Sequence, residues 1–104
     1  MAMFDFSRLY AKYPAIIAQM PTVFDSHQFI LVLAHQNQIE YIKALYAYRG
    51  ALHNETPAPF QVVHRILSAR LNDFPELVKT TRSHKPSRDI FGNSSTCSEW
   101  RKLS

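Results

Sequence analysis

The segment FQVVHRILSARLN, residues 60–72, has the clearest amphipathic pattern in the sequence. At about 100° per residue, its apolar side chains fall on one side of a helix and its polar side chains cluster on the other. The apolar side consists of Phe60, Val63, Ile66, Leu67 and Leu71. Arg70 falls in the middle of this side, so we expect the helix to fray there, or Arg70 to reach past its neighbours or to meet a buried partner. The pattern predicts a helix that packs against a core.

Two more helices are predicted between residues 25 and 50. Asp25 is a suitable N-cap, and Gln28 three residues later completes a capping box. Asn37 and Glu40 repeat that spacing. We therefore expect two helices that meet near Asn37 rather than one long helix, which would place Asn37 among apolar side chains. Gly50 is expected to end the second helix.

The N-terminal segment, residues 1–24, is expected to be helical and to pack on the core of the remaining chain. Pro14 either begins a new helix as a first-turn residue or kinks the first one, and Pro21 ends the helical pattern. Residues 25–104 then form a single helical domain that ends in a basic hairpin or tail. The predicted fold class is mainly α, a small helical domain with a C-terminal β-hairpin.

The hairpin prediction depends on the residues that follow the amphipathic helix. Residues 77–81 have strand composition, and residues 83–88 have the composition of an exposed turn around Pro86. Residues 95–104 leave two alternatives open, a short helix or a return strand over 98–103 that pairs with the first strand. We favour the strand, on architectural rather than local grounds.

Length and composition indicate one packed domain. The chain has 104 residues, 46% of them hydrophobic, and two glycines, which is not the composition of a disordered segment. Its one cysteine, Cys97, excludes an intramolecular disulfide and fits a reducing compartment. The apolar run at residues 29–34 is too short to span a bilayer, and residues 1–10 lack a signal-peptide pattern. We expect a cytoplasmic protein without a membrane segment.

The positive charge of the chain is concentrated in its C-terminal half. Residues 1–59 carry four Lys/Arg and four Asp/Glu, whereas residues 60–104 carry eight Lys/Arg and four Asp/Glu. The whole net charge of +4 therefore lies in the second half. This asymmetry favours either an anionic partner for that half or a solvated basic surface.

The sequence has no local signature of catalysis, of a cofactor site or of a metal site. Five histidines occur without a His-x-x-x-His or Cys-x-x-Cys spacing, so a zinc or iron site would need ligands from distant segments. A Gly-x-Ser-x-Gly motif, a glycine-rich phosphate loop and paired carboxylates are also absent. We therefore predict a protein that is not an enzyme and that has no cofactor and no metal.

Nucleic-acid binding has two candidate elements. The polar side of the amphipathic helix has residue types that contact base edges and phosphates, although any solvated helix carries such residues. The basic segment that follows has the charge to hold phosphates or to act as a solubilising loop. The candidate residues are Gln61, His64, Arg65, Ser68 and Asn72 on the helix and Lys79, Arg82, Lys85 and Arg88 on the basic segment.

The order of these elements over residues 25–104 resembles that of winged helix-turn-helix DNA-binding domains: two helices, an amphipathic third helix and a basic hairpin. The resemblance implies that residues 60–72 are the recognition helix and that residues 82–88 are the tip of the wing. It implies a non-catalytic protein, a possible small regulator, that binds duplex DNA. The connection at residues 50–58 is longer than the tight turn of that family.

The alternative prediction is a protein-interaction module or small oligomer, such as a homodimer, without nucleic-acid binding. The sequence is rich in the aromatic residue types that interfaces favour. These residues are Tyr10, Tyr13, Tyr41, Tyr46, Tyr48 and Trp100. Core packing is the default explanation for most of them.

Overall fold

The computed structural model describes residues 4–103, apart from the side chain of His53. The fold is α+β, with 47% of residues in helices and 26% in strands. The helices are α1 (Ser7–Tyr10), α2 (Tyr13–Gln19), α3 (Ser26–Gln36), α4 (Gln38–Ala47) and α5 (Pro59–Arg70), which a 3₁₀ turn extends over Leu71–Asp73. The strands are β1 (Val23–Asp25), β2 (Leu52–His53), β3 (Thr56–Pro57), β4 (Val78–Arg88) and β5 (Ser94–Lys102).

The prediction of a mainly α fold is wrong, because the C-terminal third of the chain forms long strands. Residues 83–88, predicted as an exposed turn, belong to β4. Pro86 is compatible with a strand there because β4 is an edge strand of the sheet, where a missing N–H need not break a ladder. The C-terminal hairpin itself is present, and the strand alternative for its second arm is confirmed by β5.

The three-stranded antiparallel sheet has the order β1-β5-β4. The short strand β1 pairs with the end of β5, with Phe24 opposite Trp100. β4 pairs with β5 along its length, but its register shifts between Thr80 and Arg82 and again between Arg82 and Lys85. These irregularities lie on β4, so β5 keeps its alternation of side chains from one face of the sheet to the other.

The helix boundaries follow the capping pattern in part. Asp25 and Gln28 form the predicted capping box: the Gln28 N–H donates to Asp25 Oδ1 at 2.9 Å, and the Asp25 N–H donates to Gln28 Oε1 at 2.8 Å. Two helices do meet at Asn37, as predicted. The predicted capping by the Asn37 side chain is wrong, because its Nδ2 donates back to the Leu33 carbonyl at 3.0 Å.

One hydrophobic core joins the helices to the sheet. Tyr13 in α2 is fully buried, and its hydroxyl donates to the Leu67 carbonyl of α5 at 2.6 Å. Pro14 lies in the first turn of α2, so it begins a new helix. The core side chains are Phe6, Leu9, Tyr13, Ile16, Ile17, Met20, Phe24, Phe29, Ile30, Leu33, Ala44, Val63, Leu67, Leu71, Val78 and Trp100.

Arg70 meets a partner at the end of α5. Its guanidinium lies over the ring of Tyr10, 4.3 Å from the ring centroid, and 5.8 Å from that of Phe74. It also forms an ion pair with Asp73 at 3.1 Å. The arginine on the apolar side of the helix therefore covers aromatic side chains while its charge stays near the surface.

A network of hydrogen bonds around Ser26 connects the sheet to two helices. Ser26 is fully buried at the start of α3. The Trp100 indole N–H donates to Ser26 Oγ at 2.9 Å, and the hydroxyls of Ser26 and Ser68 are 2.6 Å apart. Ser26 Oγ also donates to the Ser98 carbonyl at 3.5 Å. The Ser26 network (Ser26, Ser68, Ser98 and Trp100) thus joins α3, α5 and β5.

We predict that Ser26→Ala lowers the free energy of unfolding by about 2–3 kcal/mol, because it leaves the buried Trp100 N–H without its acceptor. Ser95→Ala, at an exposed position of β5, is the matched control and should change it by less than about 0.5 kcal/mol. Urea denaturation of the two variants measures both values. Equal effects would show that the Ser26 network does not anchor the sheet.

Candidate nucleic-acid interface

The alternation of side chains along β5 sorts the residues of the sheet onto two faces. Trp100 is buried against the helices, with 2% of its surface exposed. Its neighbour Arg101 therefore points to the opposite side, together with Glu99 and Cys97 two and four residues earlier. We call this side, defined by Arg101, Glu99 and Cys97, the outer face of the sheet.

Two basic side chains stand opposite each other on the outer face. Lys79 of β4 is the register partner of Arg101 of β5, and both side chains are exposed. On its other side Arg101 faces Val23 of β1, which is apolar. Among the residues that the structure describes, neither Lys79 nor Arg101 forms an ion pair. This basic pair (Lys79 and Arg101) therefore has no internal counter-charge.

The next row of the outer face is acidic and is neutralised internally. Asp25 of β1 lies opposite Glu99 of β5. The Lys85 ammonium lies 3.2 Å from Glu99 Oε2 and 4.0 Å from Asp25 Oδ2. The Thr81 hydroxyl, which donates to Glu99 at 2.9 Å, lowers the pKa of Glu99, and Lys85 lowers it further. Lys85 is half-buried, so the predicted phosphate-binding residue is engaged with two carboxylates.

Arg82 and Arg88 are the other basic residues of β4 in the predicted set. Arg82 is exposed opposite Glu99, whose carboxylate bonds to Thr81 and Lys85 instead. Arg88 is exposed at the end of the strand, where its Nη1 donates to the Gly92 carbonyl at 2.8 Å. Both guanidinium groups keep donors that face solvent.

The turn of the hairpin lies at residues 89–93, beyond the segment 82–88 to which the resemblance assigns the wing tip. Asp89 Oδ1 accepts the backbone N–H groups of Phe91 and Asn93, which lower the pKa of Asp89. Gly92 has a φ of +85°, a conformation that favours glycine. The turn contacts α5, since the ring of Phe91 packs edge-on against Phe60 at 4.6 Å.

Three of the five residues predicted to contact DNA from the amphipathic helix, α5 and its 3₁₀ extension, are exposed. Gln61 and Arg65 lie one helical turn apart on the solvent side of α5. Asn72 lies in the 3₁₀ turn that follows, where its Nδ2 donates to the Ala69 carbonyl at 3.2 Å. Within the described part of the chain, Arg65 forms no ion pair.

His64 and Ser68 point into the protein instead. His64 Nε2 lies 2.6 Å from the Tyr41 hydroxyl, and the two rings stack at 5.8 Å. Ser68 bonds to Ser26 in the Ser26 network. Burial lowers the pKa of His64 to about 4, an effect that His27 reinforces and Asp89 opposes. The polar side of α5 is therefore partly an internal contact surface.

A cluster that the sequence did not predict lies beside the acidic row of the outer face. An oxygen of Asp25, a ring nitrogen of His27 and the sulfur of Cys97 all lie within 4.8 Å of one another. Ser87 Oγ donates to Asp25 Oδ2 at 2.9 Å and lies 3.3 Å from His27 Nδ1. No local spacing predicts this cluster, because Cys97 is brought near Asp25 and His27 only when β5 pairs with β1.

Comparison of the chain with protein-family models, with curated proteins and with solved structures found no match. None of the described helices is both long enough and apolar enough to cross a membrane.

We predict that the low pKa of His64 makes the folded state less stable as the pH falls. The unfolded chain protonates His64 near pH 6.5, whereas the folded chain does so near pH 4, so stability present above pH 6.5 is lost between these values. The expected loss from pH 7 to pH 5 is about 1–2 kcal/mol. His64→Gln should flatten this dependence, measured by denaturation at each pH, and His35→Gln, at an exposed position, should retain it. The same slope in both variants would contradict the assignment.

Proposed function

We propose that this chain is a non-catalytic protein that binds duplex DNA, with the exposed basic side chains of the β4–β5 hairpin against the phosphate backbone. The observation that carries the proposal is the basic pair, in which Lys79 and Arg101 face each other across two strands without an ion-pair partner among the described residues. Its single cysteine, Cys97, supports a location in the reducing cytoplasm.

Electrostatics explains why the basic pair favours an anion. Like charges directly opposite each other in a sheet destabilise it, and a phosphate between them removes that repulsion. The neighbouring Lys85 is a useful contrast, because its charge is balanced by Glu99 and Asp25. The exposed positive charges of the hairpin are those of Lys79, Arg82, Arg88 and Arg101, whereas the Lys102 ammonium donates to the carbonyls of Ala18 and Met20.

Helix α5 supplies the second part of the proposed interface. Arg65 and Gln61 have the side chains that make paired hydrogen bonds to purine edges in the major groove, and Asn72 follows on the next turn. His64 and Ser68 do not belong to this proposed surface, because their hydrogen bonds with Tyr41 and Ser26 hold them inside the protein. In this proposal they orient α5 rather than contact DNA.

The resemblance to winged helix-turn-helix domains fits this arrangement in one respect and departs from it in another. An amphipathic helix followed by a basic hairpin is the order that it implies. The connection between α4 and α5 contains the small β2–β3 ladder, closed by Asn54 and Glu55 with positive φ values of 52° and 66°. A tight helix-turn-helix turn is therefore absent between these two helices.

We expect labelled duplex DNA to bind the chain at low salt, with an affinity that falls steeply as salt is added. If Lys79, Arg82, Arg88 and Arg101 each neutralise one phosphate, log K should fall with log salt with a slope of about −3.6. The double substitution Arg82→Ala with Arg88→Ala should weaken binding and reduce the slope to about −1.8. Fluorescence anisotropy at several salt concentrations measures both quantities.

The matched control is Lys12→Ala with Arg49→Ala, which removes the same charge from exposed positions outside the hairpin. It should leave the slope near that of the unchanged chain. If both double variants reduce the slope equally, the effect is one of net charge alone, and absence of binding at low salt would exclude the proposal.

A second candidate function, self-association, is favoured by an exposed apolar stripe on α4. Ile39, Ile42 and Tyr46 are 66%, 60% and 66% exposed on one side of this helix. Glu40 beside them is paired with Arg8 and Lys43, so two copies related by a two-fold axis could meet there without a clash of unpaired carboxylates. In sedimentation, Ile42→Glu should then dissociate a dimer, and Leu52→Glu, 61% exposed elsewhere, should not.

A further inference from the structure

We propose that Asp25, His27 and Cys97 form a binding site for a divalent transition-metal ion of the zinc type. The three side chains come from the end of β1, the first turn of α3 and the middle of β5. Their donor atoms, a carboxylate oxygen, an imidazole nitrogen and a thiol sulfur, lie within 4.8 Å of one another. This proposal does not depend on DNA binding. It replaces the prediction, made from the sequence, that the protein has no metal.

The spacing of the donors is close to that of a metal site. Three points separated by 4.8 Å have a common centre about 2.8 Å from each, and a smaller separation brings it closer. Zinc binds oxygen and nitrogen at about 2.0–2.2 Å and sulfur at about 2.3 Å. Tetrahedral donors at these bond lengths lie about 3.5 Å apart, so inward shifts of up to roughly 0.8 Å in each side chain close the site, and His27 and Cys97 are only half-buried, which leaves room for them.

The donor types select the metal. A thiolate and an imidazole suit zinc and similar ions, whereas magnesium and calcium prefer sites made wholly of oxygen. Three protein ligands leave a fourth tetrahedral position for water or for another ligand. The set of Asp25, His27 and Cys97 therefore fits a zinc-type ion with one open position.

The charges around the cluster also balance. Cys97 would bind as the thiolate, with its proton released to solvent, so that Asp25 and Cys97 contribute two negative charges against the two positive charges of the ion. Lys85, the nearest cation to Asp25, retains Glu99 as its ion-pair partner at 3.2 Å. The occupied site is then neutral, one positive charge more than the metal-free site, and Glu99 still balances the charge of Lys85.

Neighbouring groups already orient two of the proposed ligands. Asp25 Oδ1 accepts the Gln28 N–H, which fixes the carboxylate at the start of α3. The Ser87 hydroxyl donates to Asp25 Oδ2 and lies beside Nδ1 of His27. Such outer partners set the direction of ligands and typically change metal affinity by about 10- to 100-fold when removed.

A bound ion would link the hairpin to α3. Cys97 belongs to β5, opposite Lys85 of β4, whereas His27 belongs to the first helical turn after β1. Because an ion that binds only the folded chain stabilises it, the unfolding temperature should depend on metal concentration. Metal occupancy would in this way control how firmly the hairpin is held.

The test is a titration of the purified full chain, first treated with a chelator, with Co²⁺ as a spectroscopic probe for zinc. We expect one equivalent of Co²⁺ to bind and to give the near-ultraviolet charge-transfer absorption of a cobalt–thiolate bond, which Zn²⁺ then displaces. Cys97→Ser should abolish that absorption, and His27→Gln should weaken Co²⁺ binding more than about 100-fold, since it removes a ligand rather than an outer partner. His35→Gln, on the exposed side of the same helix, is the control and should change nothing.

A second measurement uses the unchanged chain and so does not depend on whether the variants fold. Cys97 is the only cysteine, and saturating Zn²⁺ should slow its reaction with a thiol reagent at least tenfold. Absence of cobalt–thiolate absorption, or the same reaction rate with and without Zn²⁺, would overturn the proposal. Equal loss of binding in His27→Gln and His35→Gln would also overturn it.

Discussion

The hydrogen-bond network around Ser26 determines how the sheet sits on the helices. A buried serine at the first residue of α3 accepts the Trp100 N–H and bonds to Ser68 of α5. Because a buried indole N–H without an acceptor is costly, Trp100 is held with its ring towards the core. The orientation of this one side chain fixes which residues of β5 face inwards and which face outwards.

The outer face that results carries two different chemistries. At the end where β5 pairs with β1, the basic pair of Lys79 and Arg101 lacks a counter-charge within the described residues. Further along β5, Cys97 comes close to Asp25 and His27. The ion pair of Lys85 and Glu99 lies between the two, so Glu99 is engaged with Lys85 and does not neutralise the basic pair. The proposed DNA contact and the proposed metal site therefore belong to one surface without sharing a residue.

Local signals predicted a large part of the helical structure. The capping box at Asp25, the restart of the helix at Pro14 and the apolar side of α5 all depend on residues close in sequence. The length of β4 was not predictable in this way, because Pro86 breaks most strands and is accommodated here only at a sheet edge. The fold class was misjudged for that reason.

The candidate site was less predictable than the helices, because its composition depends on contacts between distant segments. His64 and Ser68 have the periodicity of a solvated face, yet Tyr41 and Ser26 approach that face from α4 and α3. In the sequence, Lys85 cannot be distinguished from an exposed lysine, because its ion pair with Glu99 forms only when β4 pairs with β5. Arg101 was missed because its significance lies in its strand partner, Lys79, and not in its neighbours along the chain.

The most direct test of the role of the outer face is to measure two properties of the variants Lys79→Met and Arg101→Met. We expect each substitution to raise the free energy of unfolding of the DNA-free chain, by about 0.2–0.5 kcal/mol, because it removes the like-charge repulsion. We expect the same substitution to weaken duplex DNA binding. Higher stability together with weaker DNA binding would show that the charges of Lys79 and Arg101 serve anion binding rather than folding. Lower stability with unchanged DNA affinity would contradict that role.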